Sequence, residues 1–145
     1  MSTKFHDAKT SDEKCMVDFD LAILGKSWSE YEEYTKKTGC TWVTVQNEIA
    51  YLKEVRYNSK VQISSKTIEI GDRLSKVEIL MKSEDGKTIH SILWLTVIYF
   101  DIKTRSAATH PEETKALFRK FLVNLEETDF QSRVATFRKH NKTAK

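Results

Sequence analysis

The side chains best suited to proton transfer or nucleophilic attack are thinly spread in this sequence. Its four histidines stand at His6, His90, His110 and His140. His90 falls in a strand pattern and His110 at a helix start, and neither has an acid or nucleophile placed beside it by spacing. The chain has no G-x-S-x-G, phosphate-loop, H-E-x-x-H or C-x-x-C motif. The residues therefore argue against the common serine hydrolase, nucleotide and zinc sites.

The two cysteines, Cys15 and Cys40, have neither metal-type spacing nor a disulfide framework around them. We interpret both as free thiols in a reducing compartment. No stretch has the apolar length of a membrane span, and the first residues lack the apolar core of a secretory signal. The sequence predicts a cytoplasmic protein with no membrane partner.

Positive charge is concentrated near the C-terminus. The formal net charge is +3, and five basic residues against one aspartate after Glu127 contribute +4, which leaves −1 for the rest of the chain. A basic tail of this kind is typical of a solvated chain end, so a nucleic-acid partner is not favoured. We therefore predict one domain over residues 1–128, followed by a basic tail over residues 129–145.

Two helices are predicted before the first strand. Residues 7–25 contain no proline, and their apolar residues recur at spacings of three, four and seven, which indicates a long helix. The segment SWSEYEEYTKKTG places acids early, lysines late and Gly39 at its end, which predicts a second, short helix.

Strand patterns follow Gly39. CTWVTVQNEIAYL and KVQISSKTIEIGDR are rich in β-branched and aromatic residues, and a parity change predicts a bulge near Ser64-Ser65. LSKVEILMKSEDGKTIHSILWLTVIYFDI predicts a hairpin that turns at Asp85-Gly86. In the second arm of this hairpin, the residues that point to either face are apolar, so this strand belongs in the middle of a sheet.

A closing helix is predicted from THPEETKALFRKFLVNLEE. Thr109 and Glu112 have capping-box spacing, and Leu117, Phe121 and Leu125 recur every four residues. The whole order is one long helix, four to five antiparallel strands and a closing helix. This order predicts an α+β fold in which a curled antiparallel sheet wraps around the long helix.

Five short pieces, in their order and spacing, carry a family resemblance. They are Thr44-Val45-Gln46, Tyr51-Leu52-Lys53-Glu54-Val55, Asp85-Gly86, Tyr99-Phe100-Asp101 and Ser106-Ala107-Ala108. Together they resemble the hotdog-fold acyl-CoA thioesterase superfamily, and within it the branch of betainyl-CoA thioesterase and the thioesterase domain of carnitine dehydrogenases. The resemblance implies a hotdog fold with its long helix inside the sheet.

The resemblance also implies a mechanism and a place for it. The N-terminus of the long helix points at the thioester carbonyl, and a carboxylate there attacks the carbonyl or activates water. Aligning Phe5-His6-Asp7-Ala8-Lys9 with the helix start places the family's catalytic Asp before Met1. A second register lays residues 12–18 over D-x-x-G-H-V-N, which keeps an Asp but replaces the Gly and His. The first register is favoured because it shortens no helix.

The candidate catalytic residues implied by the resemblance lie at the chain start. Asp7 is an acid at the helix start that positions the substrate, His6 orients the thioester, and Asp12 is the carboxylate of the second register. Each also has a plainer interpretation as a solvated or dipole-complementing residue.

The candidate substrate-binding residues lie on the first strand and the loop after it. Gln46 replaces a strand Glu of the family and faces the cleft, while Lys53, Arg56 and Lys60 meet the phosphates of CoA. All four can equally be solvated surface residues.

The sequence thus predicts a thioester hydrolase of the acyl-CoA thioesterase type that acts on a small or medium acyl group. It needs no metal or organic cofactor, and its site lies between the subunits of a homodimer or larger homo-oligomer. One alternative is a non-catalytic hotdog protein that binds acyl-CoA or a protein partner. Another is a nucleic-acid-associated protein that acts through its basic tail.

Overall fold

The computed structural model describes residues 28–143, which form a curled, unclosed antiparallel sheet with helices before and after it. The elements are α1 Trp28–Thr38, β1 Cys40–Tyr51, β2 Val61–Ile70, β3 Leu74–Ser83, β4 Ile89–Asp101, β5 Ser106–Ala107, α2 Glu112–Lys120 and α3 Phe130–Thr143. The predicted α+β class, with its antiparallel sheet and C-terminal helix, is confirmed. The long helix predicted for residues 7–25 lies outside the described residues.

The boundary between α1 and β1 is set by Gly39. Its φ of 71° is left-handed, and its N–H donates to the carbonyl of Thr35 over 2.9 Å. Glycine adopts this conformation without a Cβ penalty, so the helix ends there and an extended strand begins at once. The predicted short helix and its stop signal are confirmed.

The sheet order is β1-β4-β3-β2, with all neighbours antiparallel and the short β5 paired to the end of β4. β4 lies between β1 and β3, and it contributes buried residues to both faces of the sheet, as its apolar sequence predicted. The turn before β4 has Gly86 at φ 75°, which confirms the predicted hairpin at Asp85-Gly86.

The bulge in β2 lies further along the strand than predicted. Ser64 and Ser65 pair regularly with Leu80 and Ile79, and the register shifts between Thr67 and Glu69. The extra residue places Ile68 and Ile70 in different hydrophobic clusters. The sequence pattern showed that the apolar residues switch from one face of the strand to the other. It did not show at which residue the bulge that causes this switch lies.

The closing helix α2 is shorter than predicted, and it buries a different face from the one that the sequence pattern predicted. It ends at Lys120, and its buried residues are Lys115 and Phe118, whereas Leu117 and Phe121 are exposed. The predicted capping box is also wrong: Pro111 holds the N-cap position, and no side chain caps the helix.

Residues 130–143, within the predicted basic tail, form α3. This helix buries Phe130 and Val134, and it turns one of the basic residues, Arg133, toward the sheet. The division between residues 1–128 and 129–145 stays a prediction.

Two hydrophobic clusters lie on opposite faces of the sheet, because alternate residues of β4 point to opposite sides. Trp94 and Ile92 pack against α3 with Phe130 and Val134. On the other face the cluster consists of Trp42, Val97, Tyr99 and Phe118, with Tyr34 and Cys40 packed against it. This second cluster forms the base of the candidate site.

Candidate functional site

An aromatic pocket of about 450 Å³ lies between α1, the start of β1 and α2. Its lining residues are Tyr34, Trp42, Glu113, Thr114, Ala116, Leu117, Phe118 and Lys120. The rings of Tyr34 and Trp42 stack with centroids 5.2 Å apart, and Phe118 lies 6.0 Å from Trp42. A pocket of this size with mainly apolar walls and a few polar groups at its edge is typical of small-molecule sites.

His110 lies behind Trp42 and is 2% exposed. Trp42 Nε1–H donates to His110 Nε2 over 3.1 Å, and His110 Nδ1 lies 3.2 Å from the carbonyl oxygen of Gly71. Because an indole N–H only donates, Nε2 must accept, and the ring proton therefore sits on Nδ1 and is donated to Gly71. The neutral imidazole satisfies both neighbours.

The groups around the pocket base favour their uncharged forms. Burial lowers the pKa of His110 below its usual value, despite opposing hydrogen bonds to the backbone of Gly71 and Asp72. Tyr99 and Tyr34 share a hydrogen bond of 2.6 Å between their hydroxyls, and burial raises the pKa of Tyr99 far above its usual range. The base is thus aromatic and neutral.

Charges lie at the edge of the pocket. Glu113 and Lys120 line it from α2, and among the described lining residues Glu113 is the one carboxylate. The nearby Lys115 donates to Asp72 over 2.7 Å and to Glu112 over 3.3 Å. The hydrogen bond from Lys115 lowers the pKa of Asp72 and raises that of Lys115. This pair joins α2 to the turn between β2 and β3.

A buried ionic network occupies the opposite face. Glu78 on β3 is 0% exposed, and Arg133 of α3 donates to its two carboxylate oxygens, each over 2.8 Å. Trp94 Nε1–H donates to the same carboxylate, and Lys66 lies 3.5 Å away. Burial raises the pKa of Glu78, but these donors outweigh it, and the pKa lies below its usual value. This network fixes α3 on the sheet.

A family model supplies the decisive comparison, since it matches residues 17–118 and describes a thioesterase-like superfamily. The chain belongs to this thioesterase-like superfamily. The comparison with curated proteins gives no match.

Several solved structures resemble the chain in fold. The probable thioesterase YbaW from Escherichia coli is 13% identical with a TM-score of 0.61, over 79% of this chain and 86% of YbaW. The hypothetical protein SAV2348 from Staphylococcus aureus, solved in complex with CoA, is 17% identical with a TM-score of 0.61, over 87% of this chain and 77% of its own.

A third structure, described as a predicted thioesterase from Bacillus stearothermophilus, is 13% identical with a TM-score of 0.54. That match covers 58% of this chain and 62% of the other. At such low identities the likeness shows the fold, and it confirms the predicted hotdog fold. The narrower betainyl-CoA branch stays a prediction.

The site residues expected from the superfamily resemblance fall into two groups. His6, Asp7 and Asp12 lie outside the described residues. Gln46 is exposed on β1, just after a register shift that follows Thr44. The predicted phosphate-binding residues Lys53, Arg56 and Lys60 share the exposed loop between β1 and β2.

That loop lies at the far end of β1 from the pocket. Trp42 and Tyr51 are nine residues apart on one strand, which corresponds to about 30 Å. Within one subunit, therefore, the predicted basic residues and the aromatic pocket are not brought together.

No sequence pattern predicts the residues at the pocket base. His110 and Trp42 are 68 positions apart, and no local pattern connects them. For Glu78, the one sequence indication of a buried charge was its position inside the apolar strand sequence VEIL.

No cluster of three or more metal-ligating side chains occurs within residues 28–143, and no helix in that range has the length and apolarity to cross a membrane.

Proposed function

We propose that the protein is an acyl-CoA thioester hydrolase for small or medium acyl groups, with each site shared between two subunits. The observation that carries the proposal is the superfamily match over residues 17–118. A structural neighbour solved with CoA supports CoA as the thiol part of the substrate.

The aromatic pocket suits the acyl end of such a substrate. Tyr34, Trp42 and Phe118 offer apolar ring surface, and the neutral base avoids burying a charge beside a hydrocarbon chain. The volume of about 450 Å³ is within the range of small-ligand sites.

The basic loop suits the phosphate end. Lys53, Arg56 and Lys60 lie within eight residues on an exposed loop, where multiple cations favour binding of an anion such as CoA. The separation of about 30 Å from the pocket then requires a second subunit to complete each site.

The outer edge of β1 provides a way for two subunits to meet. Among the described strands, β1 has a neighbour on one side only, and it exposes Val43, Val45, Ile49 and Tyr51. An edge strand with apolar side chains favours pairing with another strand. If two copies pair antiparallel about a two-fold axis, the start of one β1 faces the end of the other. The pocket of one subunit then approaches the basic loop of its partner.

Hydrolysis of acyl-CoAs of increasing chain length tests the activity directly. We expect Lys53, Arg56 and Lys60 changed together to alanine to raise KM with little effect on kcat, because their contacts are equally present in the ground and transition states. Changing Arg138, Lys139 and Lys142 together to alanine removes three exposed positive charges of α3 and is the matched charge control. The variant Asp12→Ala tests the carboxylate of the second register and should lower kcat. The variant Asp7→Ala tests the acid that positions the substrate and should lower kcat/KM.

The second candidate is a non-catalytic protein that binds acyl-CoA or a protein partner. It is favoured by the pocket chemistry: Glu113 is the one carboxylate among the described lining residues, and His110 has both ring nitrogens engaged. CoA binding without turnover of any acyl-CoA would establish this function in place of hydrolysis.

A cytoplasmic location also stays a prediction, resting on the cysteine pattern.

A further inference from the structure

The wall of the aromatic pocket is held by a buried histidine that accepts a hydrogen bond. His110 connects three elements: its Nε2 accepts from Trp42 of β1, its Nδ1 donates to Gly71, and its backbone N–H donates to Asp72 over 2.8 Å just before α2 begins. Its ring also lies 5.0 Å from Tyr99 and 5.8 Å from Phe118. A change in this one ring therefore reaches both walls of the pocket.

Among residues 28–143, the charged groups that face His110 are paired with one another, although the Asp72 carboxylate still favours an imidazolium electrostatically. From α2 comes Lys115, whose positive charge disfavours an imidazolium. The carboxylates of Asp72, in the β2–β3 turn, and Glu112, in α2, are hydrogen-bonded to that lysine. From β4 the ring of Tyr99 approaches, and its hydroxyl is bonded to Tyr34 of α1. β1 contributes the uncharged indole of Trp42.

Addition of a proton at Nε2 would turn this nitrogen from an acceptor into a donor. It would then face the N–H of Trp42, 3.1 Å away, and two donors cannot bond to each other. The Trp42 N–H would be left without a partner in a buried position, which is unfavourable. Displacement of the indole relieves this conflict, and the indole is part of the pocket wall.

We propose that His110 makes the aromatic pocket acid-sensitive: protonation at Nε2 breaks the bond to Trp42, displaces the indole and weakens binding in the pocket. The inference concerns regulation of the pocket to which the proposed function assigns the acyl group. Its structural part requires no substrate and is tested without one.

The first experiment follows the ligand-free, ¹⁵N-labelled full chain by NMR between pH 8 and pH 5. At pH 8 the His110 ring nitrogens should show the tautomer with the proton on Nδ1. The Trp42 indole N–H signal, assigned by its loss in Trp42→Phe, should shift with the same midpoint as the His110 ring. A Trp42 signal that stays constant while His110 titrates overturns the proposal. So does a His110 ring that stays neutral until the protein unfolds.

The second experiment measures kcat/KM for hexanoyl-CoA across the same pH range. His110→Gln offers a side-chain oxygen that accepts from Trp42 but takes up no proton. The ratio of its kcat/KM to that of the parent should rise with acidification, approaching about tenfold per pH unit below the His110 midpoint. His140→Gln, an exposed histidine on α3, is the matched control and should follow the parent.

The two experiments fail separately. If the parent hydrolyses no hexanoyl-CoA at any pH, the proposed hydrolysis of this substrate fails, and the NMR result still decides whether His110 controls Trp42. If activity is present but His110→Gln keeps the parental pH profile, the regulatory inference is wrong and the hydrolase function stands.

Discussion

Burial acts on two ionisable side chains of this sheet with opposite results. Glu78 is fully buried and stays charged, because Arg133 and Trp94 direct N–H groups at its carboxylate. His110 is 2% exposed and stays neutral, because burial disfavours the imidazolium and Trp42 donates to the unprotonated Nε2. The difference lies in whether the surrounding donors and acceptors fit the charged form or the uncharged form.

Removal of the Arg133 guanidinium should destabilise the protein strongly. In Arg133→Met the Glu78 carboxylate is left in the sheet without its main partner, and breaking a buried pair in this way typically costs about 3–5 kcal/mol. Urea unfolding followed by circular dichroism measures the loss.

The control is Arg138→Met on the exposed side of the same helix, which we expect to change the free energy of unfolding by less than about 0.5 kcal/mol. The double variant Glu78→Leu with Arg133→Met should recover much of the loss, because no buried charge is then left unpaired. A double variant as unstable as Arg133→Met would show that the arginine acts through packing on Phe137 instead.

The stability of the fold should decrease on acidification because of His110. Burial lowers the pKa of His110 in the folded state, so below the usual value of 6.5 the unfolded chain binds a proton that the folded chain does not. The contribution of His110 to the free energy of unfolding is therefore fully present above about pH 6.5 and is lost as the pH falls from there toward the folded-state pKa. His110→Gln should flatten this slope in urea titrations between pH 7.5 and pH 5.5, and an unchanged slope would assign it to other groups.

At the scale of single elements, local backbone chemistry was predictable. Gly39 marked the end of α1 and Gly86 the β3–β4 turn, since both positions require positive φ. The apolar sequence of β4 likewise predicted a central strand. The side that α2 buries was not predictable, because Leu117 and Phe118 are both apolar and only the sheet beneath decides which one is covered.

Two glycines near the pocket allow the backbone explanation to be tested. Gly39→Ala should cost about 1 kcal/mol, because φ of 71° strains any residue with a Cβ even though the space around it is open. Gly71→Ala is the control: it has no positive φ, and an added Cβ would meet Leu74 at an ordinary 3.5 Å. We expect it to be near neutral in thermal unfolding. Equal losses in both variants would refute the role of φ.

At the scale of the whole molecule, the sequence predicted the fold but not the site. The strands, the central position of β4 and the segments that carry the family resemblance can each be recognised from residues that are close together in the sequence. The bonds from Trp42 to His110 and from Arg133 to Glu78 span 68 and 55 positions, and a single sequence contains no signal for such pairs. The catalytic candidates His6, Asp7 and Asp12 remain predictions, because they lie outside the described residues.

The shared site itself leads to a quantitative prediction for mixed subunits. Ala116→Trp fills the aromatic pocket from an exposed position on α2, and the triple alanine variant of Lys53, Arg56 and Lys60 removes the basic loop charges. Under substrate concentrations at which each variant alone is inactive, we expect that unfolding and refolding them together restores about a quarter of the parental activity. Half of the randomly formed dimers are mixed, and one of the two sites in each mixed dimer combines an intact pocket with an intact loop.

A site contained within one subunit gives a different result. Each mixed dimer would then hold one subunit with a blocked pocket and one with a neutral loop, and neither could act, so mixing would restore nothing. Sedimentation velocity on the mixture checks that dimers have formed, which separates failed assembly from an unshared site. Because β1 places the pocket and the loop about 30 Å apart in each subunit, recovery of activity would mean that two chains contribute to one site.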